Sequence, residues 1–371
     1  MKVPFYDSTR EYLNYKTDFD SAISNVLLSG AFILGKQVLN FEEQVKIFTG
    51  AKYAVGVANG SDALLIASEI LGYKNAEILT PAFTFFASSS CIARLGGKPV
   101  FVDVNENTFC IDIDDAENRM TKNVKGIIPV HLFLQTADMT ACMILATKYN
   151  ISVLEDAAEA FGMKTNYRGI NYHAGTIGDI GIFSFFPTKT LGGYGDGGMI
   201  VTNNEDYFRL AKNYRTHGAS KKYHHDYIGY NSRLDTLQAA ILQIKLNHID
   251  DSIQKRAKHA AHYRELLNGI QGIKLPVVME NNLPINYVFN LQAENRDALE
   301  NYLNEKGIGT SVYYPVPLHL QKCFEYLGYK KGDFPVSEKL CQSVIALPMF
   351  PELTDSEVDY VCDTVRNFYK K

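Results

Sequence analysis

Short apolar runs alternate with helical stretches over the first two-thirds of this chain, and that alternation limits its fold more than any other feature. YAVGVA (53–58), AEILTPAF (76–83), KPVFVDV (98–104), VKGIIPV (124–130), ISVLEDA (151–157) and IGIFSFF (180–186) are rich in Val, Ile and Phe. SDALLIASEILG (61–72) and ADMTACMILATKYN (137–150) between them carry a helical pattern. Strands alternating with helices predict an α/β fold with a mostly parallel sheet covered on both faces. From residue 231 the pattern changes. Residues 233–269 read as one long helical stretch, followed by a strand at INYVFNLQ (285–292), a helix at 296–307 closed by Gly307, and a last helix from Thr354 with Glu357 in capping-box position. At 371 residues the chain exceeds the roughly 250–300 that one core supports, so two domains are expected, 1–240 and 241–371.

Charge and composition exclude several classes. A formal net charge of −4 gives no reason to expect nucleic acid. No apolar run reaches the roughly 18 residues of a membrane span, and MKVPFYDSTREYLNY has no apolar core of the signal-peptide kind. The six cysteines show no CxxC pair or zinc spacing, and unpaired cysteines in apolar segments fit a reducing cytoplasm.

The stretch FSFFPTKTLGGYGDGGMIVTN (183–203) places Lys189 between an apolar run and a glycine-rich loop. Gly193, Gly195 and Gly198 match G-x-G-x-x-G, but a strand-like MIVTN follows them where a dinucleotide site needs a helix. A nicotinamide-dependent oxidoreductase is therefore the minor reading. Lys189 is either a surface lysine or a Schiff-base former whose partial burial lowers its affinity for a proton. Such a cofactor needs an acid beside its pyridine nitrogen. Asp156 ends a hydrophobic run, at the sheet edge where open α/β sheets bind ligands; its plain alternative is a helix N-cap. Gly60, Ser61 and Asp62 sit at a strand-to-helix turn suited to an anion, with Ser61 alternatively only an N-cap. Ser184 can add a hydroxyl, and Phe83 or Phe85 a ring face. His224 and His225 lack a partner at metal spacing.

With these residues in place, the chain resembles sugar aminotransferases of the DegT/DnrJ/EryC1/StrS family over essentially its whole length. SGAFILGKQVLNFEEQV, ANGSDALLIA, TPAFTFFAS, VLEDAAEAFG, SFFPTKTLGGYGDGG, YNSRLDTLQAAIL and YYPVPLHLQ carry the resemblance, in that order. It implies a fold-type I aminotransferase. The large domain would hold a mostly parallel seven-stranded sheet between helices, with a smaller C-terminal α+β domain. It implies pyridoxal 5'-phosphate (PLP), with pyridoxamine 5'-phosphate as the intermediate form. Lys189 would bind PLP covalently and shuttle a proton, Asp156 would pair with the pyridine nitrogen, and Phe85 would stack on the ring. Gly60, Ser61, Asp62 and Ser184 would surround the phosphate. Glu159 falls where many members have a glutamine hydrogen-bonded to the ring hydroxyl and where glutamate also occurs, so it would be a cofactor contact. Asn231 and Arg233 would reach the phosphate and the sugar diphosphate across a homodimer with shared sites. Phe32, Tyr223, His224, His225, Tyr313 and His319 are the other substrate candidates. Lys189 argues against the relatives that carry histidine there and act as sugar dehydratases. The implied reaction moves an amino group from an amino acid, L-glutamate by resemblance, to a 3-keto sugar on UDP or dTDP. A 4-keto sugar is the alternative, and a scaffold that binds PLP without turnover is a third reading. Products of this type feed lipopolysaccharide, capsule or antibiotic sugars.

Overall fold

Seven of the apolar runs pair into one sheet in the computed structural model, which describes residues 1–370. The strands are β1 (Tyr53–Val57), β2 (Glu77–Pro81), β3 (Lys98–Val102), β4 (Val124–Ile127), β5 (Ser152–Asp156), β6 (Ile180–Ser184) and β7 (Gly198–Thr202). They lie in the order β1-β7-β6-β5-β4-β2-β3. β7 pairs antiparallel with both neighbours, and every other pairing is parallel. The exception has a local cause. A parallel return needs a crossover, usually a helix. Residues 185–197 contain none; instead Phe185 N–H donates to the Gly197 carbonyl at 2.8 Å, so the chain doubles back.

The strands are buried almost throughout. Burial on both faces explains why they read as continuous apolar runs rather than as alternating ones. The helix Gly60–Ile70 covers one face, with Ala63, Leu64, Ile66 and Ala67 buried against β6 and β7. Val38, Phe41 and Val45 of the helix Lys36–Thr49 join the core of the other face.

A second hydrophobic core lies in the C-terminal part. Strands Phe289–Ala293 and Val344–Leu347 pair antiparallel. The helices Ile249–Leu267, Arg296–Glu305 and Asp355–Tyr369 supply Tyr263, Leu299, Leu303, Val358, Val361 and Val365 to this core. The Thr354–Glu357 capping box forms as expected.

Two expectations need correction. The long helical stretch is two helices, Thr236–Asn247 and Ile249–Leu267, parted at His248. Residue 240 lies inside the first, whose Leu242 and Leu246 belong to the sheet's core, whereas Ala260 and Tyr263 of the second belong to the C-terminal core. Val3 also joins the C-terminal core, because its N–H donates to the Gly307 carbonyl at 2.9 Å. The strand expected at 285–292 begins only at Phe289; Asn286 has a left-handed backbone (φ 50°), which takes Tyr287 out of the extended path. Among the described residues, no helix is long and apolar enough to cross a membrane.

Candidate active site

The carboxyl ends of β1, β2, β4, β5 and β6 open onto a cavity of about 300 Å³, closed from the C-terminal part by Tyr287, Tyr313 and Tyr314. Asn59, Gly60 and Ser61 line it after β1, and Thr84 and Phe85 after β2. Asp156 and Glu159 come from the end of β5, and Ser184 and Lys189 follow from β6. This is the edge at which parallel sheets place ligands.

Asp156 is 4% exposed. Burial pushes its carboxyl above the ordinary range, opposed by a hydrogen bond from Ser88, the Ala158 N–H and the charge of Lys189. Ser88 Oγ donates to Oδ2 at 2.7 Å, and Ala158 N–H to Oδ1 at 3.1 Å. The N-cap alternative fails here, because turns follow Asp156, not a helix.

Lys189 Nζ lies 3.2 Å from Glu159 Oε1 and 4.7 Å from the centre of the Tyr287 ring. Burial works against its charge, but the charges and hydrogen bonds of Glu159 and Tyr287 outweigh it, so the ammonium is held above its ordinary range. The expectation of a lowered proton affinity is thus reversed. The reason is a buried counter-charge that its neighbours in sequence do not reveal.

The turn after β1 is capped by Asn59, whose side chain accepts the Asp62 N–H at 2.8 Å. Ser61 is therefore not the N-cap. It is exposed at the first turn of an 11-residue helix, where backbone N–H groups favour an anion. Gly60 packs so close to Ser184 that an added Cβ would meet the Ser184 Cβ at 2.8 Å. The glycine loop is not a dinucleotide turn. At Gly193 and Gly195 an added Cβ would meet Gln238 at 2.7 Å, and Gln238 Oε1 accepts the Tyr194 N–H at 2.9 Å. These glycines admit a protein side chain, and the nicotinamide reading loses its only motif.

Phe85 lines the cavity and is 57% exposed, whereas Phe83 is core. Tyr313 also lines it. His319 does not: it is 1% exposed, packed on Phe334 and hydrogen-bonded to Glu338 at 3.1 Å. It was expected to touch substrate, but a small apolar cluster beneath β3 encloses it.

Phe32, Tyr223, His224, His225, Asn231 and Arg233 are not brought to the cavity. They lie elsewhere. Phe32 carbonyl accepts the Thr236 N–H at 3.0 Å, and His217 N–H donates to the Tyr230 carbonyl at 2.8 Å. Asn231 bridges Thr216, and His225 Nδ1 lies 2.9 Å from the His217 carbonyl. Tyr223, His224 and His225 sit on or beside an exposed two-stranded hairpin, Ala219–Lys221 with His224–His225. Ser232 Oγ accepts the Ala58 N–H at 3.2 Å, so this segment runs behind the turn after β1.

Sequence reasoning missed Tyr287, Tyr314, Thr84 and Ser88. Asn286, a residue type that tolerates the left-handed region, was the available signal for Tyr287. Ser88 gave none.

The cavity suits a planar, phosphorylated aldehyde. It pairs an amine with a buried carboxylate and an anion-favouring helix start. Thr84 Oγ1, which lines it, is buried with no hydrogen-bond partner among the described residues.

A family model described as the DegT/DnrJ/EryC1/StrS aminotransferase family matches residues 14–366. A pleiotropic regulatory protein of Geobacillus stearothermophilus is 43% identical, over 100% of this chain and 99% of its own. UDP-2-acetamido-2-deoxy-3-oxo-D-glucuronate aminotransferase of Pseudomonas aeruginosa is 38% identical, over 98% of this chain and 100% of its own. Among solved structures, DesV of S. venezuelae in complex with a ketimine intermediate is similar with a TM-score of 0.96 and 35% identity, covering 100% of this chain and 99% of that one.

Proposed function

The chain belongs to the DegT/DnrJ/EryC1/StrS aminotransferase family, and from that membership we propose that it transfers an amino group from L-glutamate to C3 of a 3-keto sugar carried on UDP or dTDP. The observation that carries the reading is the convergence of Lys189, Asp156 and the Gly60–Ser61 turn on one cavity. The relative from P. aeruginosa, whose substrate is by name a 3-oxo sugar on UDP, supports the position.

PLP bound there supplies an aldehyde for exchange of amino groups and an electron-withdrawing pyridine ring. The residues of this chain do the rest. Gly60, Ser61 and Ser184 would hold its phosphate by backbone N–H and hydroxyl groups, with Asp62 beside them. Phe85 would cover one face of the ring. Asp156, hydrogen-bonded by Ser88 and Ala158, would hold a proton on the ring nitrogen. Lys189 would carry the aldehyde carbon and, when released, move a proton along one face of the substrate. One base serves both half-reactions, because donor and acceptor use the same cavity in turn.

Phe32, Tyr223, His224, His225, Asn231 and Arg233 belong to the same proposal as contacts made across a homodimer. The exposure of all but the half-buried Arg233, and their separation from the cavity of their own chain, support it. All six cysteines are free, which fits the cytoplasm, and lipopolysaccharide is a fitting destination for the amino-sugar.

The test is a single turnover. The protein is loaded with pyridoxamine 5'-phosphate, mixed with a 3-keto or a 4-keto nucleotide-sugar, and followed by absorbance. Conversion to the PLP form with the 3-keto sugar alone is expected. Conversion with the 4-keto sugar alone would overturn the position, and silence with both on either nucleotide would overturn the substrate class.

A further inference from the structure

Glu159 and Lys189 face each other inside the cavity, and the carboxylate is held from two further sides. Phe133 N–H donates to Glu159 Oε2 at 3.3 Å, and Tyr314 O–H reaches Oε1 at 3.5 Å. The side chains of Lys189 and Glu159 are 16% and 8% exposed, so little water competes for either. The other ionisable groups around the cavity are Asp156 from β5, Asp196 from the glycine loop, and Tyr287, Tyr313 and Tyr314 from the C-terminal part. Asp156 is engaged by Ser88 and Ala158. Tyr287 presents its ring to Nζ, and its hydroxyl lies 3.3 Å from Thr188 Oγ1. Glu159 is the carboxylate that pairs directly with the lysine.

We propose that Glu159 is the counter-ion that keeps the Lys189 nitrogen positively charged, both as the free amine and after it has joined a carbonyl. The proposal rests on the reading that the cavity takes PLP. In the joining step the Lys189 ammonium passes a proton to Glu159, and the neutral nitrogen bonds to the carbonyl carbon. The carbonyl oxygen takes one proton from that nitrogen and one from Glu159 and leaves as water. The nitrogen of the new C=N bond keeps its last proton beside the restored carboxylate. A glutamine at 159 would preserve a hydrogen bond but not the charge, and the nitrogen would lose its proton at lower pH.

The full-length chain, loaded with PLP, is titrated from neutral to alkaline pH while the absorbance of the C=N group is followed; no turnover is involved. Glu159→Gln is expected to lower the midpoint by about 1–3 pH units, the usual effect of removing an opposite charge at this distance. Glu159→Asp is expected to retain most of the wild-type midpoint. A glutamine variant that titrates with the wild type would overturn the role. Should that variant fail to fold, a wild-type nitrogen that is already neutral at pH 7 would overturn it as well. Absence of any C=N absorbance in the wild type would instead overturn the cofactor reading, so the two failures are distinguishable.

Discussion

Ser88 shows how much of the chemistry at Asp156 is set by a residue that never enters the cavity. Asp156 must be ionised to hold a proton on a ring nitrogen, yet burial favours its neutral form. The Ser88 hydroxyl, itself fully buried, offsets part of that penalty through a 2.7 Å hydrogen bond. Ser88→Ala should therefore push the carboxyl further up and weaken PLP binding by about 10- to 100-fold, since a hydrogen bond to a charged group contributes roughly 1.5–3 kcal/mol. Spectroscopic titration of cofactor-free protein with PLP measures this; unchanged affinity would remove Ser88 from the site. At this scale the sequence was legible where side chains sit close to a motif. Lys189, Asp156, Phe85 and Tyr313 were each read from their own segments. Glu159's grip on Lys189 was not, because it depends on two loops, after β5 and after β6, meeting in space. His319 failed for the opposite reason. Its motif neighbours Tyr313 and Tyr314 reach the cavity, but Pro317 and the short helix Leu318–Leu320 turn the chain into an apolar cluster.

At the scale of elements, the helix Gly60–Ile70 is seated by one missing methyl group. A Cβ on Gly60 would press on the Ser184 Cβ at 2.8 Å, and Ser184 lies on β6, so neither side can yield freely. Gly60→Ala should move the helix start away from β6. We expect a loss of about 1–3 kcal/mol of stability, typical of overpacking, together with weaker binding of PLP's phosphate. Thermal unfolding and competition by inorganic phosphate check the two effects separately. The strands themselves were legible because burial on both faces leaves a continuous apolar run. The direction of β7 was not, since pairing polarity is decided by the connection and not by the strand's own residues. The break at His248 was equally hidden, as apolar spacing continues across it.

For the whole molecule, the residues from Phe32 to Arg233 that lie away from the cavity pose the question of assembly. If it completes the cavity of a second copy, each site needs residues from two chains. Mixing inactive Lys189→Ala chains with inactive Arg233→Ala chains should then restore activity. One intact site in each mixed dimer gives about a quarter of the wild-type rate after equal mixing. No recovery after subunits have been shown to exchange would place Arg233 on its own chain's site or outside the reaction.

The parallel pairing of β5 with β6 carries one more implication. Asp156 sits opposite Ile182, two residues before Ser184, so the two ends of the site hang from the two strands of one ladder, which run roughly 4.8 Å apart. That ladder works as a ruler. Its spacing is invariant, and the only adjustable length is the short tether from Ser184 to Lys189. An insertion or deletion between Phe186 and Lys189, beyond the buried Phe185, would mis-set the amine by a full residue. Residue count there is a chemical parameter, held to a tolerance that loops elsewhere on the surface never face.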